Sequence, residues 1–144
     1  MRLRRGLALA IALGAIVIIG ALIAGAFFAA TQEYRSTRGS LAQVRALTAA
    51  EFGLHAVMRP GDWQTSWNAM AVGGTAVRAY APGDGSADTV HIVKLTLSSF
   101  LVISEGQSTA TAGEQARRRV AALVVLDAGG SATLARGRSW IELD

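Results

Sequence analysis

The chain has 144 residues, no cysteine and a formal net charge of +4. The absence of cysteine excludes disulfides and thiolate zinc sites. Three basic residues lie before residue 7, so residues 31–144 carry 11 basic against 10 acidic residues. Nucleic-acid-binding domains usually carry a large excess of positive charge, which residues 31–144 do not have, so we expect no nucleic-acid partner. About 114 residues follow residue 30, which is enough for one small domain.

The most distinctive stretch is residues 7–30, a run of 24 residues without a charge, a proline or a polar side chain. As an α-helix it would extend roughly 36 Å, enough to cross the roughly 30 Å hydrocarbon core of a lipid bilayer. Residues 1–6 form a basic leader with Arg2, Arg4 and Arg5. By the positive-inside rule this end stays in the cytoplasm. The sequence therefore predicts a single-pass membrane protein whose residues 31–144 are exported.

Two other interpretations of the apolar run are open. A cleaved secretory signal has the same order of basic, apolar and small residues, and Ala24-Gly25-Ala26 offers a cleavage site. Its apolar core is usually only about 7–15 residues long, however, which favours an uncleaved anchor. A helix buried in a soluble core is the weaker alternative, because a small domain would hardly cover it on all sides.

Residues 31–59 predict an amphipathic helix that continues from the span. The segment is rich in good helix formers and contains no proline before Pro60. Gly39-Ser40 could interrupt the helix, and residues 60–62 are expected to end it. Its apolar residues recur at helical spacing and form a stripe that needs cover: Tyr34, Leu41, Val44, Leu47, Leu54 and Met58.

Residues 60–144 predict an antiparallel β domain. The loop 60–69 carries Trp63 and Trp67, which we expect to pin it over the core, with a binding role as the alternative. Short segments rich in β-branched residues follow, and turn signals separate them at 82–85, 98–99, 105–106 and 128–130. The predicted strands are 71–81, 89–97, 100–104, 118–126 and 132–143.

The pattern of these strands predicts how they are covered. Residues 120–126 are apolar on both faces, so this strand should lie inside the sheet with cover on each side. The apolar stripe of helix 31–59 would cover one face, whereas the weaker alternation of 89–97 indicates a place nearer an edge. The fold class expected is α+β, with a long N-terminal helix packed on a small antiparallel sheet.

No pattern of an active site emerges, so we expect no enzyme, no metal and no cofactor. The two histidines, His55 and His91, lack a metal-binding spacing, and no nucleophile elbow or phosphate-binding loop is present. Oxygen side chains alternate from Asp84 to Asp88 and could begin a calcium loop, but a hairpin turn fits better because the closing Glu is missing. The cluster 117–119 holds three arginines, which either discourage edge pairing or contact lipid headgroups or an acidic partner.

The order of leader, apolar helix, amphipathic helix and small sheet resembles the type IV pilin superfamily. More narrowly, residues 32–35 (QEYR) and 41–54 (LAQVRALTAAEFGL) resemble the start of PilX-type minor pilins, which carry a Glu after the span and an Ala-Ala-Glu further along the helix. Residues 101–106 (LVISEG) and 117–120 (RRRV) are similar to the closing strands of such proteins.

This resemblance implies a non-enzymatic subunit of a type IV pilus or a type II secretion pseudopilus in the bacterial inner membrane. A prepilin peptidase would cleave after Gly6, and Leu7 would be methylated. The partners implied are the lipid bilayer, other pilin-like subunits and an inner-membrane assembly platform. Glu33 and Glu51 are the candidate assembly residues on the helix.

The chain departs from the pilin pattern at two positions. Leu7 stands where major pilins usually have Phe, and Ile11 stands where they have the Glu that pairs with a neighbour's terminal amine. These departures argue against a major subunit and affect a tip-type minor subunit less. Gly20 and Ala24 add a small-xxx-small spacing suited to close helix packing in a membrane. The alternative is a single-pass, membrane-anchored periplasmic accessory or adaptor protein outside any filament, and an anchored enzyme ranks third.

Overall fold

The computed structural model describes residues 3–59, 61, 63–83, 85–109, 115–135 and 140–143, with the side chains of 3–8, 64 and 109 outside the description. These residues form one long helix, a π-helical turn and an antiparallel sheet. The fold is therefore α+β, as the sequence predicted. The elements in chain order are α1 (Leu3–Val57), the π-helical turn (Trp63–Trp67), β1 (Thr75–Tyr80), β2 (Ser86–Lys94), β3 (Ser99–Thr109), β4 (Gln115–Leu126), β5 (Ala132–Leu134) and β6 (Trp140–Leu143).

The chain divides into two compact units, Met1–Arg38 and Gly39–Asp144. Within the described residues the first unit is entirely helical. The second unit holds the rest of α1, the π-helical turn and the six strands. The boundary between the units thus falls within α1, after Arg38.

Helix α1 continues through Gly39-Ser40, so this pair does not interrupt it. Ala, Leu, Arg and Gln dominate its second half, and their high helix propensity offsets the cost of one glycine. The helix ends at Val57, two residues before the predicted end. Gly61 has φ +123°, which cannot continue a right-handed helix. The other two residues of the predicted stop signal, Pro60 and Asp62, lie outside the described residues.

The sheet has the order β1-β2-β3-β4-β5, and β6 also pairs with β4. All described pairs are antiparallel. The register aligns Ile92 with Val102 and Val102 with Ala122, so these side chains form one row on the face toward α1. The buried core lies between this face, the π-helical turn and the end of α1.

Several strand boundaries differ from the prediction. The strand predicted over 71–81 begins at Thr75, and the one predicted over 89–97 runs from Ser86 to Lys94. Residues 105–106, predicted as a turn, lie inside β3, and the segment 132–143 forms two strands. Gly106, part of the predicted turn, instead pairs with Asp88 and Arg118 in extended backbone, and α1 passes directly over it.

The predicted cover of β4 is found on one face only. Val120, Ala122, Val124 and Leu126 are buried on the side of α1. On the opposite face Leu123 remains 37% exposed, and the described residues include no element that covers it. The prediction of a second cover was therefore wrong, although β4 does lie inside the sheet between β3 and the pair β5 and β6.

The face that α1 turns to the sheet is also not the predicted one. Leu41 and Val44, expected in the buried stripe, are 50% and 59% exposed. Small residues form most of the buried face instead, and only Leu54 of the predicted stripe is fully buried. The buried residues are Ala42, Ala46, Ala49, Ala50, Gly53, Leu54 and Val57. The backbones of α1 and β3 approach so closely that larger side chains would not fit between them.

Candidate functional site: membrane anchor and helix–sheet contact

The described chain contains one helix that is long and apolar enough to cross a membrane, and it lies near the N-terminus. Every described side chain from residue 9 to residue 38 is exposed. Large apolar side chains are exposed all along this stretch, from Leu9 at 65% to Phe28 at 66%. Because each such side chain gains about 1.5–3 kcal/mol on leaving water, lipid is the natural surroundings of this helix. The protein thus carries a candidate single-pass membrane anchor.

The C-terminal end of the apolar run carries polar groups suited to a membrane–water interface. Thr31 Oγ1 donates to the Phe28 carbonyl at 2.8 Å, which satisfies the hydroxyl within the helix. The Arg38 guanidinium lies 4.1 Å from the centre of the Tyr34 ring, a cation–π contact. Tyr and Arg side chains are typical of the headgroup region, where one end is apolar and the other is hydrated.

The candidate assembly residues of the first unit are all exposed. Gly20 and Ala24 lie one helical turn apart, and a Cβ added at Gly20 would meet no atom within 4 Å. This surface therefore has room for a close neighbour. Glu33 is exposed as well, and its backbone carbonyl accepts the Thr37 hydroxyl at 2.9 Å. The processing residues Gly6 and Leu7 belong to α1, but their side chains lie outside the described residues.

In the second unit, α1 and β3 make a backbone-to-backbone contact at Gly106. A Cβ at this position would meet the Ala46 carbonyl and would lie 2.5 Å from the Ala50 backbone nitrogen. Only glycine allows such an approach, because real Cβ atoms are essentially never closer than 3.0 Å to another heavy atom. Glu51, the fourth candidate assembly residue, is half-buried on the same helix segment.

A buried polar chain lies beside this contact. Asp88 on β2 is 1% exposed, and its Oδ1 lies 2.7 Å from Ser104 Oγ on β3. The same Ser104 Oγ lies 2.6 Å from the Ala50 carbonyl on α1. Gly53 makes room for the carboxyl, because a Cβ there would collide with Asp88 Oδ2 and lie 2.8 Å from Ser104 Oγ. These hydrogen-bonded groups thus link β2 and β3 to α1.

The surroundings of Asp88 favour its neutral form. Burial, with a smaller contribution from the negative charge of nearby Glu105, raises the pKa of this carboxyl from 3.8 to about 6. Hydrogen bonds from Ser104 and from the Thr89 backbone N–H act against this rise. Oδ2 is buried without a hydrogen-bond partner. A charged carboxylate with an unpartnered buried oxygen is costly, which explains the direction of the shift.

The two tryptophans of the π-helical turn are buried in the core, at 1% and 2% exposure, which confirms that they pin this segment to the core. Trp63 packs edge-on against Phe100, with ring centres 5.2 Å apart. Its Nε1 donates to the Val57 carbonyl at 2.7 Å, so it satisfies one of the last carbonyls of α1. Trp67 Nε1, by contrast, is buried without a partner.

Lys94 is the other buried charged residue in the described part of the chain, at 3% exposure. Its Nζ donates to the Asn68 carbonyl at 2.6 Å and lies 5.4 Å from the centre of the Phe100 ring. Sequence reasoning singled out neither Lys94 nor the role of Asp88. The signal was present, because residues 88, 90, 92 and 94 alternate along β2 and so share the buried face.

The arginine cluster 117–119 is paired with carboxylates of neighbouring strands. Glu105 lies 3.2 Å from Arg117 and 3.7 Å from Arg119. Arg118 lies 3.5 Å from Glu142 and donates to Gln43 Oε1 at 3.0 Å. These contacts tie β4 to β3, β6 and α1, a structural role that the sequence interpretation did not include.

Within the described residues, no group of three or more His, Cys, Asp or Glu side chains could hold a metal ion. His55 and His91 are both exposed, one on α1 and one on β2. Asp88 of the Asp84–Asp88 segment is committed to Ser104, and Asp84 lies outside the described residues. Comparisons of the chain with protein-family models, with curated proteins and with solved structures give no match.

Proposed function

We propose that this protein is a non-enzymatic, minor pilin-like subunit that acts in the assembly of a type IV pilus or a type II secretion pseudopilus. The carrying observation is α1 (Leu3–Val57), which joins an exposed apolar segment to one that packs on an antiparallel sheet. An apolar segment of this kind holds the precursor in the bacterial inner membrane and later packs against other subunits. The sheet domain is then periplasmic or extracellular, and the basic leader is cytoplasmic.

Support for assembly through the helix comes from its small residues. Gly20 and Ala24 leave a shallow surface at the spacing that lets helix backbones approach in lipid. The partners in this function are other pilin-like subunits and the inner-membrane assembly platform, with Glu33 and Glu51 as polar contacts. A prepilin peptidase cleaves the leader after Gly6, and Leu7 becomes the methylated N-terminus.

One observation favours a second candidate, a single-pass accessory or adaptor protein that never enters a filament. Ile11, 64% exposed on the apolar helix, stands where pilin subunits carry the Glu that pairs with a neighbour's terminal amine. Without that charge the apolar segment 7–30 has no acidic partner for a second subunit's N-terminus. Anchoring alone then accounts for the apolar segment.

Processing of the leader separates the two candidates. Intact mass and N-terminal sequencing are measured on the protein extracted from membranes of its native host. We expect a chain that starts at Leu7 with one added methyl group. Gly6→Leu should retain the leader, whereas Gly14→Leu, a matched change within the span, should still be processed. A mature chain that retains the leader in the unaltered protein refutes the pilin assignment and leaves the anchored accessory protein.

Helix-to-helix assembly has its own test, because the chain contains no cysteine. Ala24→Cys introduces a single thiol on the small-residue face, and Leu22→Cys introduces one on the opposite side of the same helix. We expect oxidative cross-linking in membranes through position 24 and much less through position 22. Equal cross-linking at both positions would contradict packing through the Gly20–Ala24 face.

A further inference from the structure

The hydrogen bonds around Ser104 require a proton that the serine alone does not have. Its Oγ lies 2.6 Å from the Ala50 carbonyl oxygen and 2.7 Å from Asp88 Oδ1, both distances of full O–H···O hydrogen bonds. A serine hydroxyl carries one proton and therefore donates once. The carbonyl of Ala50 has no proton to give. Two full hydrogen bonds therefore need a second proton, and of the three groups the carboxyl of Asp88 is the one that can supply it.

We propose that Asp88 is protonated in the folded protein and donates to Ser104, which in turn donates to the Ala50 carbonyl. This relay of two hydrogen bonds holds α1 against the sheet at acidic pH and weakens when Asp88 ionises. The relay crosses three elements, β2, β3 and α1. Ionisation of Asp88 leaves Ser104 with two acceptors and one proton. One of its two hydrogen bonds is then lost, and a buried carboxylate with the unpartnered Oδ2 remains.

Apart from Ser104 and the Thr89 backbone N–H, the environment of Asp88 contains little that would keep it charged. On α1 it faces Gly53 and Ala50, which carry no charge. On β3 the nearest titratable group is Glu105, which is itself an acid and disfavours a second negative charge. Other titratable groups on the elements packed around it are Arg78 and Tyr80 on β1, His91 and Lys94 on β2, Arg45, Glu51 and His55 on α1, and Arg117, Arg118 and Arg119 on β4.

The direction of the pH effect follows from the raised pKa of Asp88, which burial moves from 3.8 to about 6. Between these two values the folded protein binds more protons at this site than the unfolded chain does. The free energy of unfolding therefore falls as the pH rises through this window, and this site adds no further change above or below it. A difference of about two units between the pKa of Asp88 in the folded and the unfolded protein corresponds to an increase of about 100-fold in the unfolding equilibrium constant across this window.

The test is urea unfolding of the full chain in detergent micelles between pH 4 and pH 7.5 at constant ionic strength. Asp88→Asn keeps a donor toward Ser104 but cannot ionise. We expect the unfolding constant of the unaltered protein, divided by that of Asp88→Asn, to rise about 100-fold from pH 4 to pH 7. Asp127→Asn makes the same change at an exposed turn carboxyl and should leave the pH dependence of the unaltered protein in place. A ratio that stays constant with pH overturns the proposal.

A second measurement decides the matter even if the variant fails to fold. The carboxyl carbon of Asp88 is followed by NMR in the unaltered, carbon-13-labelled protein as the pH is changed. A titration midpoint near 6 supports the protonated relay, and a midpoint near 4 overturns it. Ser104→Ala adds a structural check at pH 5, where loss of the middle of the relay should raise the unfolding constant by about tenfold or more.

Discussion

Substitution of Gly106 by alanine tests the backbone contact between β3 and α1. The added Cβ would lie 2.5 Å from the Ala50 nitrogen, about 0.9 Å inside the 3.4 Å at which ordinary contact begins, and it would also meet the Ala46 carbonyl. Both neighbours are backbone atoms, so no side-chain rotation relieves the collision. The helix must move away from the sheet by about 1 Å.

The size of the effect follows from this displacement. A gap of about 0.5–1 Å between α1 and the sheet already loses a quarter to a half of the energy of each dispersion contact. Overpacking of a core costs about 1–3 kcal/mol in stability. Alanine recovers about 0.5–1 kcal/mol because glycine is unfavourable in a strand. Since the collision is between backbones, the overpacking cost lies at the upper end of its range, about 3 kcal/mol, and we expect a net loss of about 2–2.5 kcal/mol. For a domain of this size, that corresponds to a fall in Tm of roughly 10–20 °C.

The assay is urea unfolding of the full chain in detergent micelles, followed by the fluorescence of the buried tryptophans. Gly39→Ala is the matched control on α1, because a Cβ there meets no atom within 4 Å. It should leave stability unchanged or raise it by about 0.5–1 kcal/mol, since alanine favours a helix. If Gly106→Ala proves as stable as the control, the close approach of α1 to β3 is refuted.

Three further changes test other parts of the molecule. Trp63→Phe removes the N–H that pairs with the Val57 carbonyl and should lower the free energy of unfolding in urea by about 2–3 kcal/mol. Trp67→Phe is the control and should cost less, because the N–H of Trp67 has no hydrogen-bond partner. Equal losses would argue against the Trp63 hydrogen bond. Ile18→Arg places a charge within the apolar helix and raises the free energy of its insertion into a membrane by about 2.5–3.5 kcal/mol. It should therefore lower the fraction of protein that stays with membranes after carbonate extraction. An unchanged fraction would speak against a membrane span. Glu105→Gln removes both ion pairs of Glu105, with Arg117 and Arg119, on the outer sheet face. It should cost less than about 1 kcal/mol, with a smaller loss at high salt; a loss insensitive to salt would show that charge is not its main contribution.

Much of the architecture could be predicted because it depends on local patterns. The run from residue 7 to residue 30 is apolar at every position, so no arrangement of the remaining chain changes its preference for a membrane. The β-branched segments and their turns likewise predicted an antiparallel sheet. Residues 105–106 were the exception. Glycine often marks the end of a strand, but Gly106 lies inside β3, and its missing side chain lets α1 approach closely.

The face of α1 that packs on the sheet could not be predicted in the same way. Helical periodicity selected the largest apolar residues, such as Leu41 and Val44, yet alanines cover the sheet and these two side chains are exposed. Periodicity reports which residues share a face but not how near the partner element lies. That distance depends on small residues from a different part of the chain, Gly106 and Ser104.

The sequence by itself determined the apolar N-terminal helix, its helical continuation and the α+β class, because propensity and hydrophobicity act within a few turns of chain. Only the tertiary structure decided that Asp88, Ser104 and Ala50 meet, although 16 residues separate the first two and 54 separate the last two. Burial and hydrogen-bond geometry depend on contacts between distant residues. The protonation of Asp88 is for that reason a property of the folded protein that no local pattern contains.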